Sequence, residues 1–114
     1  MTKIVKNANY ELLVQREFDP AETLKVLKNP NQQIFWSWGV EKVVNYNHQG
    51  LILLVNGHHH QGVVFIRLSW DDTYSYFLLH PDLSIKKEAH NVYFDELQDR
   101  IDKDVEYISK YDKY

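Results

Sequence analysis

Cysteine is absent from this chain of 114 residues, which excludes disulfide frameworks, thiolate nucleophiles, iron–sulfur clusters and every zinc site that uses a thiolate ligand. Glycine and proline are scarce, at four and three residues, so flexible linkers have little room. No apolar run approaches the roughly 18 to 20 residues of a membrane-spanning helix, and the longest dense run is Leu51 to Val55. The first residues carry no apolar export signal. We therefore expect a soluble, cytoplasmic protein without a membrane partner.

What the chain does contain is a large share of apolar side chains, 44% hydrophobic and 14% aromatic. This composition is typical of a folded globular domain and excludes disordered, collagenous and coiled-coil chains. The length matches one domain and is too short for an enzyme with a cleft between two lobes. No repeat or linker divides the chain, so we predict a single domain over residues 1–114.

Positive charge is scarce in the middle of the chain. There are 13 basic and 16 acidic residues in total, yet Arg67 is the only lysine or arginine between Val43 and Ile85. A protein that binds a phosphate backbone needs clustered lysine and arginine side chains. The charge distribution therefore argues against direct nucleic-acid binding.

Residues 19–29 carry the signals of a short helix. Asp19 can cap its N-terminus, Pro20 suits the first helical position, and Glu22 is placed to complete a capping box. The Asn-Pro pair that follows ends the helix. Residues 1–18 are apolar enough in part for either a strand or a helical turn, and their structure is left open.

A second helix is predicted over residues 93–109. Its apolar residues recur at steps of three and four, which makes one stripe of a helix with 3.6 residues per turn: Phe94, Leu97, Ile101, Val105 and Ile108. The other side of this amphipathic helix carries carboxylates. The stripe must therefore pack against an apolar surface elsewhere in the domain.

The segment between the two helices, residues 33–87, is rich in β-branched and aromatic side chains and predicts an antiparallel sheet of about four to five strands. We expect the first strand at Ile34 to Trp38, and Val40 to Tyr46 either continues it or pairs with it. The remaining strands are predicted at Leu51 to Val55, Val63 to Trp70 and Thr73 to Leu79.

Alternation along the strands assigns the two faces of this sheet. The uncharged face should point to the core and carries Val64, Ile66 and Leu68. The opposite face should be at least partly in contact with water and carries Arg67, Thr73 and Ser75. Packing the C-terminal amphipathic helix on the uncharged face gives a two-layer α+β domain with an additional short N-terminal helix.

Six segments form an ordered pattern across residues 34–101: Trp38-Gly39-Val40, Leu51-X-Leu53-X-Val55, Gly62-Val63-Val64-Phe65-Ile66-Arg67-Leu68, Asp72-Thr73-Tyr74-Ser75-Tyr76-Phe77, Ile85-Lys86-Lys87-Glu88 and Val92-Tyr93-Phe94-Asp95-Glu96-Leu97. This pattern resembles a loose group of short, uncharacterised proteins of bacteriophages, prophages and other mobile elements. The resemblance implies a compact α+β fold and a phage or mobile-element origin. It implies no catalytic residue, cofactor or ligand.

No catalytic signature is found in the sequence. The chain has neither a Gly-X-Ser-X-Gly nucleophile elbow nor a glycine-rich phosphate loop, and its serines have no recognisable partner arrangement. The pair Asp71-Asp72 is interpreted as turn chemistry rather than as a catalytic pair of carboxylates. We therefore predict a non-enzymatic protein with no catalytic residues and no cofactor.

The leading functional prediction is a small accessory domain that acts through contact with another protein or with itself. The candidate contact residues are four carboxylates of the second helix and two tryptophans: Asp95, Asp99, Asp102, Glu106, Trp36 and Trp38. A solvated helix face is the plainer interpretation of the carboxylates. For the tryptophans the default is core packing, and the alternative is an exposed aromatic platform.

Two alternative functions remain open. His58, His59 and His60 lie in a predicted hairpin loop, and neutral imidazoles are good ligands for zinc, nickel or copper. They could form a functional metal site together with a carboxylate or His80, or they could bind metal only weakly and adventitiously. The carboxylate-rich helix could instead mimic a nucleic acid and inhibit a basic host protein.

Overall fold

The computed structural model describes residue 10 and residues 13–106. The predicted α+β class is confirmed, with a five-stranded antiparallel sheet, a short N-terminal helix and a C-terminal helix. In chain order the elements are α1 (Pro20–Lys28), α2 (Gln32–Ser37), β1 (Lys42–Tyr46), β2 (Gly50–Asn56), β3 (Gln61–Leu68), β4 (Tyr74–Leu79), β5 (Ile85–Val92), a 3₁₀ turn (Phe94–Glu96) and α3 (Leu97–Val105).

The five strands form one antiparallel meander in the order β1-β2-β3-β4-β5. At its centre, Phe65 of β3 pairs with Ile52 of β2 and with Phe77 of β4. The β1–β2 turn holds Asn47 and His48 at φ 54° and 57°. Asparagine tolerates this left-handed region better than most residues, which fits the turn predicted there.

The helix α1 begins where the Asp19 cap and Pro20 predict. The Asp19 side chain accepts a hydrogen bond of 3.0 Å from the Ala21 amide, and Pro20 occupies the first turn. The cap satisfies an amide that has no partner within the helix. On the inner side of α1, a hydrogen bond of 3.0 Å joins the Thr23 hydroxyl to the Tyr74 hydroxyl of β4, so the helix is anchored on the sheet.

The predicted first strand, Ile34 to Trp38, is wrong, because this segment forms α2. The Asn31 side chain accepts hydrogen bonds of 2.9 and 3.2 Å from two amides of the first turn and so starts a helix. Phe35 and Trp38 stand three residues apart and are both fully buried, a spacing that suits one side of a helix and not one face of a strand. The aromatic composition favours a strand, but the cap and the packing outweigh it.

The boundaries of the sheet and of the C-terminal helix shift accordingly. The sheet runs from Lys42 to Val92 instead of over residues 33–87. The predicted helix over residues 93–109 divides into the 3₁₀ turn and α3, and its residues 107–109 lie outside the described residues. Phe94, expected to start the buried stripe, is 67% exposed in the turn.

The helices cover one face of the sheet. Leu97, Ile101 and Val105 of α3 are completely buried and belong to one apolar cluster with Val64 and Ile66 of β3. The uncharged strand face is therefore the one that meets the helices, as predicted. Burial of each such side chain contributes about 1.5–3 kcal/mol, so this seam is a main source of stability.

The opposite face of the sheet is also buried, which corrects the prediction that it is partly in water. Ser75 and Phe77 of β4 are 1% and 2% exposed, and Phe65 is 0% exposed. The ring of Tyr10 stacks on Phe65 with centroids 5.2 Å apart, and Leu13 packs against the same cluster. The cover comes from the N-terminal segment, whose structure the sequence leaves open.

Arg67 is a half-buried charged residue of this second face. Its Nη1 donates a hydrogen bond of 2.7 Å to the Leu13 carbonyl, and its guanidinium lies 5.2 Å from the Phe77 ring centroid. Thr73, which shares the face, is 8% exposed. Arg67 thus fastens the N-terminal segment to the sheet, while burial lowers the pKa of its guanidinium.

The burial of Tyr10 predicts a loss of stability at alkaline pH. Burial raises the pKa of Tyr10 from 10.0 to about 12. The unfolded chain releases this proton near pH 10 and the folded chain holds it to about pH 12, so the contribution of Tyr10 is intact below pH 10 and is lost as the pH rises through 12. We expect urea titrations at each pH to show this fall, and the Tyr10→Phe variant to lose less stability over the interval.

The exposed Tyr93 supplies the control, because its side chain is 62% exposed. The Tyr93→Phe variant should follow the wild-type pH dependence. An unchanged pH dependence in the Tyr10→Phe variant would contradict the assignment of the effect to Tyr10.

Candidate functional site

A groove of about 410 Å³ lies between α2 and α3. We call it the acidic groove and define it by its lining residues: Asn31, Gln33, Ile34, Ser37, Asp99, Asp102 and Glu106. One wall is formed by α2 and its N-cap residue Asn31, and the other by the carboxylates of α3 and of its C-cap residue Glu106. This groove is the strongest candidate interaction site on the helical side of the domain.

The local sequence explains both walls. Asp99, Asp102 and Glu106 stand at steps of three and four, so they project from one side of a helix. The Gln98 side chain fixes the distance between the walls, because its Nε2 donates hydrogen bonds of 2.7 and 2.8 Å to the carbonyls of Leu27 and Asn31. Gln98 therefore ties α3 to the connection between α1 and α2.

Each groove carboxylate has a partner among the described residues. The Trp38 Nε1 donates a hydrogen bond of 2.9 Å to Asp102 Oδ1, and the His58 amide donates one of 2.7 Å to Glu106 Oε1. Asp99 forms an exposed ion pair of 3.2 Å with Lys103. Since a carboxylate has about four acceptor positions, all three can accept further hydrogen bonds from a ligand.

The negative charges of the groove reinforce one another. Burial raises the pKa of Asp102, and the charges of Asp99 and Glu106 raise it further, against the opposing hydrogen bond from Trp38. Among the described residues, the lining of the groove includes no lysine, arginine or histidine. A bound cation would relieve this repulsion and would favour the ionised form of Asp102.

The other three predicted contact residues do not line the acidic groove, although Trp38 supports Asp102 from within the core. Asp95 lines a separate hollow beside Lys25 and Phe94. Trp38 is fully buried, whereas Trp36 is 55% exposed with Lys28 Nζ 5.1 Å from its ring centroid. The two tryptophans therefore do not form a shared platform, and of the six predicted contact residues the structure brings together Asp99, Asp102 and Glu106.

The three predicted metal-ligand histidines do not converge. His60 is 1% exposed, its Nε2 lies 3.0 Å from the Val63 carbonyl, and burial lowers the pKa of its imidazole. His58 and His59 are exposed, with ring centroids 4.9 Å apart. Within residue 10 and residues 13–106, no group of three or more His, Asp or Glu side chains is arranged to hold a metal ion.

A second concavity, of about 370 Å³, opens near one end of the other sheet face. We call it the polar cleft and define it by its lining residues: Gln15, Arg67, Ser69, Trp70, Asp71, Ser75, His90 and Asn91. Its sides come from the N-terminal segment, the β3–β4 turn and the end of β5. It is separate from the acidic groove, which lies on the helical side.

A chain of hydrogen bonds forms the floor of the polar cleft. The Ser75 hydroxyl bonds to the Ser69 hydroxyl at 3.1 Å and to His90 Nδ1 at 2.9 Å. On its other side, His90 Nε2 bonds to Glu88 at 3.0 Å. A serine, a histidine and a carboxylate are thus linked by successive hydrogen bonds, as in a catalytic triad. Ser75 is only 1% exposed, so the principal role of this arrangement is to hold β4, β5 and the turn together.

The pair Asp71-Asp72 performs the turn chemistry that the sequence indicates. Asp71 Oδ1 accepts hydrogen bonds of 3.1 and 2.6 Å from the amide and hydroxyl of Thr73, and these bonds lower the pKa of Asp71. Asp72 adopts φ 66° and pairs with Arg16. The two carboxylates therefore serve different partners.

The polar cleft was not predicted from the sequence. One signal was present, because alternation already placed Arg67 and Ser75 on the same strand face. Gln15 and His90 gave no such signal, since they come from distant parts of the chain whose relative position depends on the whole fold. Trp70 was assigned to the end of a strand and is instead 71% exposed in the turn.

No helix in the described ranges has both the length and the apolar character that crossing a membrane requires. Comparisons of the chain with protein-family models, with curated proteins and with solved structures found no match.

Proposed function

We propose that this chain is a small cytoplasmic accessory domain, of phage or mobile-element origin, that binds a basic segment of another protein in the acidic groove. The observation that carries the proposal is the groove itself, which presents three carboxylates and no described cation in its lining. A lysine- or arginine-rich segment is the protein ligand that matches this surface in charge.

The positions of the carboxylates favour tighter pairing at Asp102 and Glu106, which are partly shielded from solvent, than at the exposed Asp99. Asp99 is exposed, and ion pairs of exposed side chains contribute about 0.2–1 kcal/mol each. Asp102 is partly shielded from solvent, so a charge placed beside it is screened less. Ile34 lines the same groove and offers an apolar contact for the aliphatic stem of a lysine or arginine.

The dimensions of the carboxylate row suit a short peptide. From Asp99 to Glu106 the helix advances about 10 Å, the length of roughly three residues of extended chain. A nucleic-acid mimic would need a longer and more exposed row of charges. The groove geometry therefore favours a basic peptide segment over the mimicry of a nucleic acid.

The test uses peptides selected from a random display library against the full chain. We expect the selected peptides to be enriched in lysine and arginine and to bind more weakly as salt rises. The triple variant Asp99→Asn, Asp102→Asn, Glu106→Gln removes the charges and keeps an acceptor oxygen for Trp38 and for the His58 amide. Fluorescence anisotropy should show at least about a tenfold loss of affinity for the triple variant.

A matched control removes three carboxylates that lie outside the groove. Glu17, Glu22 and Glu41 are exposed, and the variant Glu17→Gln, Glu22→Gln, Glu41→Gln should bind the peptides as the wild type does. Thermal unfolding followed by circular dichroism checks that both triple variants are folded. Peptides without basic enrichment, or equal affinity of the groove variant and the wild type, would contradict the proposal.

A further inference from the structure

The polar cleft combines one large exposed aromatic ring with a lining that is otherwise polar. Trp70 stands at its rim with 71% of its side chain exposed. At the rim of a concavity, an exposed indole offers a flat apolar surface and a polar N–H group to a ligand. The cleft volume of about 370 Å³ lies within the range of small-molecule sites, roughly 300–1,000 Å³.

The charges of the cleft nearly cancel, which excludes a strongly ionic ligand. Arg67 brings one positive charge and Asp71 one negative charge to the lining. Glu88, bonded to His90, adds a second carboxylate behind the floor and acts on Arg67 electrostatically. A phosphate or carboxylate ligand would meet these acids, and a cation would meet the guanidinium. The lining therefore fits a neutral ligand.

The cleft offers both donors and acceptors to such a ligand. Gln15 Oε1 accepts a hydrogen bond of 3.1 Å from the Trp70 amide, which leaves the Gln15 side-chain amide group to donate. Arg67 lines the cleft, and its guanidinium carries five N–H donors, of which the Leu13 carbonyl takes one. Asn91 is exposed at φ 58°, and its side chain can both donate and accept. Hydroxyl groups, which also do both, match this mixture best.

The site is held in place before any ligand arrives. The hydrogen bonds from Ser69 through Ser75 to His90 fix the floor. The β3–β4 turn that carries Trp70 is closed by the Asp72 amide, which donates a hydrogen bond of 3.0 Å to the Ser69 carbonyl. A preorganised site loses less conformational entropy on binding, so even a small ligand can bind measurably.

We propose that the polar cleft binds a neutral saccharide, with one sugar ring stacked on the indole of Trp70 and its hydroxyls bonded to Gln15, Arg67, Asp71 and Asn91. A sugar ring has an apolar face of C–H groups and a rim of hydroxyls. The apolar face suits the face of an indole ring, and the hydroxyls suit mixed donors and acceptors. This site is independent of the acidic groove, because the two lie on opposite sides of the sheet.

The test is a screen of the full chain on an array of neutral oligosaccharides, followed by titration with the best neutral disaccharide and ¹H–¹⁵N chemical shifts as the readout. We expect saturable shifts at the amides of Trp70, Asp71 and Asn91, with affinity that changes little with salt. Trp70→Ala should weaken the affinity at least about tenfold, and Trp70→Phe should restore part of it.

Trp36 supplies a matched control, since it is also exposed but lies on α2. Trp36→Ala should bind the disaccharide as the wild type does. The proposal is overturned if no neutral saccharide gives saturable shifts at these amides up to about 10 mM, or if Trp70→Ala binds as well as the wild type. Binding of inorganic phosphate or glucuronate alone would also overturn it, because the site would then be an anion site.

Discussion

Replacement of Phe65 by alanine is expected to lower the free energy of unfolding by about 3–5 kcal/mol. Phe65 is completely buried at the centre of the sheet, and its ring is stacked on Tyr10 at an interplanar angle of 9°. The ring also lies so close to Gly50 that a Cβ there would be 2.3 Å from its tip. Alanine would leave a cavity under the N-terminal segment that backbone movement cannot fill.

Urea unfolding followed by circular dichroism measures this loss, and Phe94 provides the comparison because it is 67% exposed. Phe94→Ala should cost less than about 1 kcal/mol. Small domains have a total stability of about 5–15 kcal/mol, so the Phe65 variant is expected to be close to its limit of folding. Similar, small losses for both variants would show that the second face of the sheet is not a core.

Trp38 should be almost as sensitive as Phe65, with an expected loss of about 3–5 kcal/mol for Trp38→Ala. Its indole is fully buried at the end of α2, with its ring centroid 5.3 Å from that of Phe35. Its removal would also leave the partly buried carboxylate of Asp102 without the hydrogen bond that Trp38 donates, which further lowers the free energy of unfolding.

Trp36→Ala is the matched comparison for Trp38. The Trp36 ring is 55% exposed, and its main contacts are edge-to-face packing on Phe35 and the nearby Lys28 ammonium group. Such contacts contribute about 0.5–1 kcal/mol. In a strand the two tryptophans would share one face, whereas in a helix they do not. The free energies of unfolding of both variants, measured by chemical unfolding and far-ultraviolet circular dichroism, therefore distinguish a helical from an extended segment. Equal losses at the two positions would contradict the helical assignment of α2.

The parts of the fold that the sequence predicts are those with a local physical cause. The α1 helix follows from the Asp19 cap and Pro20, and the buried stripe of α3 follows from the spacing of Leu97, Ile101 and Val105. Alternation along β3 was sufficient to identify the face that meets the helices. In each case the residues that determine the structure lie within a few positions of one another.

The parts that were mispredicted depend on contacts between distant segments. The segment of α2 has strand-like composition, and its helical state depends on the Asn31 cap and on the burial of Phe35 and Trp38. The second core depends on Tyr10, which reaches Phe65 from a segment with no clear periodicity. Sequence spacing alone does not show that such a segment lies across a sheet.

The candidate sites divide in the same way. Asp99, Asp102 and Glu106 share one helix, so their common side was predictable, but the opposite wall of the groove belongs to α2 and was not. The polar cleft joins Gln15 and His90 from separate parts of the chain. Its only early signal was the alternation that placed Arg67 beside Ser75.

The meander order of the sheet also determines how the chain reaches its native state. Within the described part of the chain, each strand pairs with the strands that directly precede and follow it, so every such pairing closes a short loop at small entropic cost. Low contact order of this kind is associated with fast folding. We therefore expect a hairpin to form first and the sheet to extend from it, with Tyr10 and α3 packing on the two faces afterwards.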